Sequence, residues 1–127
     1  MRMSHFNPAL VVEDNALVAM VARAVFEECG CESVTVIASL EFALGFVRSE
    51  QISFALLVTR LEEGDTLPLV ALLARRGIPF AFVSDFADGR DIPEQWSGRP
   101  YLAKPYTDAE LGELLVHFAP GARAANG

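Results

Sequence analysis

Short hydrophobic segments alternate with amphipathic ones along most of this 127-residue chain. Five segments are short, apolar and rich in β-branched or aromatic residues, which is typical of buried strands. They lie at Ala9–Val12, Ser33–Ile37, Phe54–Thr59, Phe80–Ser84 and Tyr101–Ala103. Their alternation with helical segments predicts an α/β fold with a doubly wound, five-stranded parallel sheet flanked by helices.

Four segments have apolar residues at the three- and four-residue spacing of a helix face. These positions are, segment by segment, Leu17, Met20, Val21, Ala24 and Val25; Leu40, Ala43, Leu44 and Val47; Leu69, Leu72 and Leu73; and Leu111, Leu114, Leu115 and Phe118. Ser39 is suited to cap the second helix, Thr66 starts the third, and Thr107 to Glu110 forms a capping box for the last.

The stretch between the fourth and fifth strands, residues 85–100, departs from this alternation. It holds two glycines and two prolines, and only Ile92 and Trp96 hint at a helical stripe. We therefore expect a short or irregular helix there. Trp96 and Tyr101 fit either the core or a partner surface near this segment.

Length and composition favour one globular domain over residues 1–127, with a core at about 8–118 and a frayed tail at 119–127. Seventeen acidic residues oppose ten basic ones, and a net charge of −7 disfavours nucleic-acid binding. No apolar run is long enough to span a membrane, and the N-terminus lacks a signal-peptide pattern, so we expect a soluble cytoplasmic protein. Cys29 and Cys31 are predicted to be reduced thiols at a helix-to-strand turn, because they are too close together for an easy disulfide.

Polar residues follow four of the predicted strands, at the edge where ligands bind in such sheets. They are Glu13-Asp14, Thr59, Ser84-Asp85 and Lys104-Pro105. An acidic pair can bind Mg²⁺, and a hydroxyl and a lysine can neutralise phosphoryl oxygens, so this edge has several of the groups that phosphoryl transfer needs.

The chain resembles the receiver domains of response regulators over about residues 8–118. The segments that carry the resemblance are Leu10-Val11-Val12-Glu13-Asp14, Pro79-Phe80-Ala81-Phe82-Val83-Ser84 and Tyr101-Leu102-Ala103-Lys104-Pro105-Tyr106. The resemblance implies a metal-binding pair at Glu13 and Asp14, a switch hydroxyl at Ser84 and a switch aromatic at Tyr101. It also makes Lys104 the active-site lysine and its bond to Pro105 a candidate cis peptide.

The departure from the family lies at the phosphoacceptor. The matching position is Val58, and no carboxylate occurs between Gln51 and Leu61. Valine is neither a nucleophile nor a metal ligand, so no catalytic residue is predicted and Mg²⁺ binding should be weak at best. Lys104 is then free to pair with Glu13 or Asp14, although Asp14 could instead cap the first helix.

The leading hypothesis is a single-domain, non-enzymatic receiver in two-component signalling that acts by binding proteins. The resemblance implies a histidine kinase, a phosphotransfer protein or another response regulator as the partner, and homodimers are possible. One alternative is phosphorylation at an unusual residue, Asp65 or Thr59. A remote alternative is a small flavodoxin-like cofactor-binding protein, which the phosphate-repelling Glu13-Asp14-Asn15 loop disfavours.

Overall fold

A computed structural model describes residues 6–118 of the chain. In chain order its elements are β1 (Ala9–Val12), α1 (Ala16–Glu28), β2 (Val34–Ile37), α2 (Leu40–Ser49), β3 (Phe54–Val58), β4 (Arg60–Leu61), β5 (Gly64–Asp65), α3 (Leu67–Arg75), β6 (Phe80–Ser84), β7 (Tyr101–Ala103) and α4 (Asp108–His117). The predicted tail, residues 119–127, lies outside the described residues.

Five of the strands form one parallel sheet in the order β2-β1-β3-β6-β7. The three central strands are buried along their whole length, which explains their nearly continuous apolar sequences. The predicted doubly wound parallel sheet is confirmed, and the β1–β3 order places the end of β3 at the middle of the sheet.

Side-chain caps fix the starts of three of the four helices. Asn15, Ser39 and Thr107 each accept a hydrogen bond from a backbone N–H in the first turn of α1, α2 and α4, respectively. The predicted capping box of α4 is present, with Glu110 reaching back to the N–H of Thr107. The prediction that Asp14 could cap α1 is wrong, because the neighbouring Asn15 does so.

The connection from β6 to β7 contains one 3₁₀ turn, Glu94–Trp96, and no α-helix. The prediction of a short or irregular fourth helix is therefore confirmed. The Trp96 ring is half-buried and packs edge-on against Phe80, with ring centroids 5.2 Å apart. The segment that precedes this turn is free of helical geometry and turns back toward the ends of the central strands.

The two-stranded hairpin of β4 and β5 after the third sheet strand was not predicted. Each strand has only two residues, so no alternation of polar and apolar positions reveals it. Gly64 turns the chain with a φ of +144°, a region that residues with a side chain rarely adopt. The predicted third strand also ends one residue earlier than expected, at Val58.

Helix α1 packs with a different face from the one its strongest apolar residues predict. Its buried residues are Ala19, Ala22, Val25 and Phe26. Leu17 and Met20 are instead 70% and 66% exposed, and Val21 is also exposed. Small alanines let the helix lie close to the sheet, which leaves the larger aliphatic side chains on the outside. Of the five positions used to predict this helix, only Val25 is in the core.

Aromatic rings fill the core at the end of the sheet opposite the candidate site. Phe54 is fully buried and contacts Phe6, Phe26 and Phe118 with ring centroids 5.0 to 6.1 Å apart. Edge-to-face and tilted pairs of this kind add to the apolar area that they bury. Nearby, Cys29 and Cys31 are free thiols, as predicted, and burial raises the pKa of both. No helix within residues 6–118 has both the length and the apolar character needed to cross a membrane.

Candidate functional site

The carboxyl ends of β1, β3, β6 and β7 place the predicted site residues along one edge of the sheet. Glu13 and Asp14 follow β1, Val58 ends β3, Ser84 ends β6 and Lys104 follows β7. In parallel sheets this edge, beside the strands where the winding reverses, is where ligands bind. The contacts among these residues determine whether they can bind a metal ion or accept a phosphoryl group.

Glu13 and Lys104 form an ion pair at the centre of this edge. The Lys104 ammonium lies 3.0 Å from each carboxylate oxygen of Glu13. The Asn15 backbone N–H donates a third hydrogen bond to this carboxylate, at 3.0 Å. Glu13 is only 3% exposed, whereas the Lys104 side chain is 26% exposed. The predicted pairing of Lys104 is confirmed for Glu13, and both oxygens of that carboxylate are in use.

Asp14 points away from this pair and is exposed to solvent. Its carboxylate accepts a hydrogen bond of 3.1 Å from the backbone N–H of Glu62, in the hairpin that follows β3. Asp14 therefore joins the end of β1 to this hairpin. The two members of the predicted acidic pair consequently have different partners.

Val58 lies at the end of β3 with 3% of its surface exposed. It pairs in register with Val83 of β6, and its carbonyl accepts a 2.7 Å hydrogen bond from the hydroxyl of Thr66. An aliphatic side chain thus ends β3, at the position where the resemblance implies an acceptor carboxylate. No nucleophile is available at this position.

Thr66 attaches the start of α3 to the end of β3. It is fully buried, and its hydroxyl reaches the carbonyls of both Val58 and Thr59 instead of capping the helix that it precedes. We expect Thr66→Val to lower the free energy of unfolding by about 1–2 kcal/mol, because it removes this buried donor at nearly constant volume. Urea denaturation measures the change. Thr66→Ser, which keeps the hydroxyl, is the control, and equal stability of the valine variant and the natural chain would contradict the assignment.

An aspartate that the sequence analysis did not single out, Asp91, occupies the space between the ends of β3 and β6. Its carboxylate accepts hydrogen bonds from the Thr59 hydroxyl at 2.6 Å, from the Ser84 hydroxyl and from the Asp85 backbone N–H at 3.0 Å. Burial acts to raise the pKa of Asp91, but these three hydrogen bonds outweigh it and lower the pKa below its ordinary value. The carboxylate is therefore held in its charged form.

No pattern in the sequence predicts this placement of Asp91. The residue lies seven positions beyond the end of β6, in the irregular segment, and only the folded-back path of the chain brings it to the sheet edge. The one available signal is the lack of a helical stripe in residues 85–100, which leaves that segment free to return to the site.

Tyr101, the predicted switch aromatic, is half-buried against the same segment. Its hydroxyl donates a 2.7 Å hydrogen bond to the carbonyl of Ala87. A Cβ atom on Gly89 would lie 2.9 Å from Cζ of the ring, so only glycine allows this close approach, and its φ of +68° also favours glycine. Ser84 and Tyr101 therefore contact one common loop.

The two unusual acceptors considered from the sequence have structural partners. The Thr59 hydroxyl is buried and donates to Asp91. Asp65 is exposed and accepts a 3.0 Å hydrogen bond from the Leu67 backbone N–H at the start of α3. Asp65 therefore lies at the end of β5, directly before α3, and its carboxylate is used in this structural contact.

The side chains at this edge do not fit a Mg²⁺ site. The ion prefers six oxygen ligands in octahedral geometry, whereas Val58 supplies none and both Glu13 oxygens contact the Lys104 ammonium. Within residues 6–118 no group of three or more potential metal-ligating side chains comes together.

An apolar groove lies beside the ion pair. Leu17, Val18 and Val21 of α1 line one side, and residues 104–106 line the other, around a volume of about 460 Å³. The Lys104–Pro105 peptide bond is cis, the form that the resemblance implies, and it shapes this wall. Burial, together with the charges of Glu13 and Asp108, raises the pKa of Tyr106 to about 12, so its hydroxyl stays neutral. Two exposed apolar residues of α1, Leu17 and Val21, belong to the lining of this groove.

Solved structures that resemble this chain are receiver domains. SdrG from Sphingomonas melonis Fr1 is 31% identical over 90% of this chain and 97% of its own, with a TM-score of 0.76. The BeF3-activated conformation of SdrG from Pseudomonas melonis Fr1 is 28% identical, covering 92% of this chain and 98% of that one, with a TM-score of 0.76.

A receiver of lower identity shares the fold. A CheY-like response regulator receiver domain protein from Methanospirillum hungatei JF-1 is 18% identical, covering 92% of this chain and 96% of its own, with a TM-score of 0.76. No protein-family model and no curated protein sequence matches the chain. The identity and coverage of the SdrG match, together with the sheet order and the placement of Glu13 and Lys104, show that this chain belongs to the CheY-like receiver domains of response regulators.

Proposed function

We propose that this receiver takes part in two-component signalling without accepting a phosphoryl group at position 58, and that it acts by binding a protein partner. The observation that carries the proposal is Val58, an aliphatic side chain buried where the family's acceptor would stand. Phosphoryl transfer to a side chain needs a nucleophile, and valine has none. The rest of the site supports this view, because Lys104 neutralises Glu13 in place of a phosphoryl group.

The apolar surface of α1 is the partner-binding surface in this proposal. Leu17 is mostly exposed on α1 and borders the groove that residues 104–106 close, and Met20 is mostly exposed on the same helix. A contiguous apolar patch beside a site is unusual on a protein that stays monomeric, and such patches mark interaction surfaces. We propose a histidine kinase, a phosphotransfer protein or another response regulator as the partner, and a cytoplasmic location in which it meets that partner.

Mg²⁺ has a minor role in this proposal. With Glu13 committed to Lys104 and Val58 in the third ligand position, we propose that Mg²⁺ binds weakly and is not required for partner binding. Partner binding should then be the same with Mg²⁺ and with a chelator.

The experiment is a phosphotransfer competition with each purified histidine kinase of the source organism and that kinase's own receiver. We expect this protein, in excess, to slow transfer from at least one kinase without becoming labelled. Leu17→Glu should weaken the inhibition about tenfold, because a charge at the centre of an apolar contact costs roughly 1–2 kcal/mol or more.

The matched control is Phe42→Glu. Phe42 is 75% exposed on α2 and does not line the groove beside α1, so the same charge is introduced on a different face. We expect this variant to inhibit as the natural protein does. If no kinase is slowed, a histidine kinase is not the partner, and if both variants lose inhibition equally, α1 is not the binding surface.

A further inference from the structure

The loop at residues 86–92 folds back over the carboxyl ends of β3 and β6. It is anchored there by the Asp91 carboxylate, which receives two side-chain hydroxyls and one backbone N–H. The donors belong to the sheet edge, Thr59 after β3 and Ser84-Asp85 at the end of β6, whereas the acceptor belongs to the loop. The loop therefore supplies an anion to the edge of the sheet.

We propose that Asp91 is an internal anion that holds the hydroxyl of Ser84 and the ring of Tyr101 in one arrangement, so that the loop fixes the state of the receiver without a phosphoryl group. The inference rests on the proposed function, because it concerns the state that a binding partner meets. It adds a positioning residue that neither the resemblance nor the comparisons assign.

The Ser84 hydroxyl and the charged Asp91 carboxylate are well matched as hydrogen-bond donor and acceptor. Hydrogen bonds from a hydroxyl and a backbone N–H to a charged oxygen are about twice as strong as neutral ones. Ser84 has a single hydroxyl proton, and its oxygen lies near both the Asp91 carboxylate and the Phe86 carbonyl. The charged oxygen is the stronger acceptor, so the Ser84 hydroxyl donates its hydrogen bond to Asp91. A hydroxyl committed in this way is not available to another anion.

The same loop contacts Tyr101. The hydroxyl of this residue donates to Ala87, and its ring lies against Gly89, in the loop that Asp91 anchors. Rotation of the Tyr101 side chain would break the hydrogen bond to Ala87 and remove the ring from its close contact with Gly89. The positions of Ser84 and Tyr101 are therefore coupled through a loop of a few residues.

The two aspartates of the loop have different contacts. Asp88 is exposed and pairs only with the neighbouring Arg90, at 3.1 Å, so its charge does not reach the sheet. Asp91 contacts three groups of the sheet edge. The same substitution at these two positions therefore separates the loss of the anchor from the loss of a negative charge on the loop.

The test is ¹H–¹⁵N NMR with amide hydrogen exchange on the natural chain, Asp91→Ala and Asp88→Ala. In Asp91→Ala we expect the Asp85 amide to exchange about tenfold faster, because it loses its hydrogen bond to a charged acceptor. The signals of Ser84 and Tyr101 should shift together. Asp88→Ala should change only its neighbours. An Asp91→Ala spectrum in which Ser84, Asp85 and Tyr101 keep their natural shifts and exchange rates would overturn the proposal.

Two further variants cover a failure of the alanine variant to fold. Asp91→Asn keeps one acceptor oxygen without the charge, and we expect a smaller change at the same residues and in the same direction. Added acetate should move the signals of Asp91→Gly, which leaves an empty anion position, back toward those of the natural chain. No change in the asparagine variant, or no response to acetate, counts against the internal anion.

A competition experiment reads out the anion position directly. In a Val58→Asp background, beryllium fluoride is the probe, because it mimics a phosphoryl group on the new carboxylate. Asp91→Asn in this background should raise the affinity of the protein for beryllium fluoride about tenfold, since the charged carboxylate no longer competes for the hydroxyl of Ser84. Equal affinities would overturn the inference. These readouts use no kinase, so they can fail while the proposed partner binding stands, and the reverse also holds.

Discussion

Replacement of Lys104 by methionine is expected to lower the free energy of unfolding by about 2–3 kcal/mol. The reason is the environment of Glu13, whose carboxylate is 3% exposed and has the Lys104 ammonium on both oxygens. Removing one partner of a fully buried pair costs more, about 3–5 kcal/mol, because the remaining charge is left without compensation. Water reaches the partly exposed Lys104, and this reduces the expected loss.

Thermal and urea unfolding measure the effect, with an expected decrease in Tm of roughly 10 °C. Lys104 is the only lysine in the chain, so the control replaces an arginine of a different ion pair. Arg23→Met breaks an exposed pair with Glu27, and we expect it to change stability far less. Combining Lys104→Met with Glu13→Gln should restore much of the loss, because no buried charge then remains. A Lys104→Met variant as stable as the natural chain would show that the pair has no structural role.

Substitution of Val58 by aspartate is expected to strengthen Mg²⁺ binding relative to the natural chain. A third carboxylate adds a negative oxygen ligand at the edge where Asp14 is already exposed, and affinity for divalent ions rises with the number of charged ligands. Without metal, the free energy of unfolding of the variant should be about 2 kcal/mol lower than that of the natural chain, because a carboxylate replaces an apolar side chain in a buried position. Mg²⁺ should restore that loss, since it binds only the folded state.

The measurement is Tm as a function of Mg²⁺ concentration for the natural chain, Val58→Asp and Val58→Asn. The asparagine variant has the same shape and a buried polar group, but it lacks the charge. We expect a metal-dependent rise in Tm for the aspartate variant alone. A rise of the same size in the natural chain would mean that Glu13 and Asp14 bind the metal by themselves.

Much of the fold follows from the sequence because the short apolar strands and the helical spacing of apolar residues are both clear in this chain. The strands at Phe80–Ser84 and Tyr101–Ala103 are found at their predicted boundaries. The buried face of α1 could not be predicted in the same way. Periodicity identifies a helix, but the choice of Ala19 and Ala22 over Leu17 and Met20 as core residues depends on how closely the helix approaches the sheet. Small residues allow that approach, and a hydrophobicity pattern does not record it.

Some residues of the candidate site could likewise be predicted from the sequence, and others could not. Glu13, Ser84 and Lys104 stand directly at strand ends, and their positions therefore follow from the order of the strands. Asp91 reaches the site through an irregular loop whose path depends on the contacts of Tyr101 with Gly89 and Ala87. Such contacts between residues distant in sequence leave no periodic signal. The sequence therefore predicts the missing acceptor at Val58, but not the carboxylate of Asp91 beside the switch hydroxyl.

The most direct test of the central claim is incubation of the natural chain and Val58→Asp with acetyl phosphate and Mg²⁺, followed by measurement of the intact masses. The account predicts that the natural chain stays unmodified and that Val58→Asp gains one phosphoryl group, because only the variant has a nucleophile at the end of β3. A phosphoryl group on the natural chain would contradict the account, and peptide mapping would then identify the residue that accepts it.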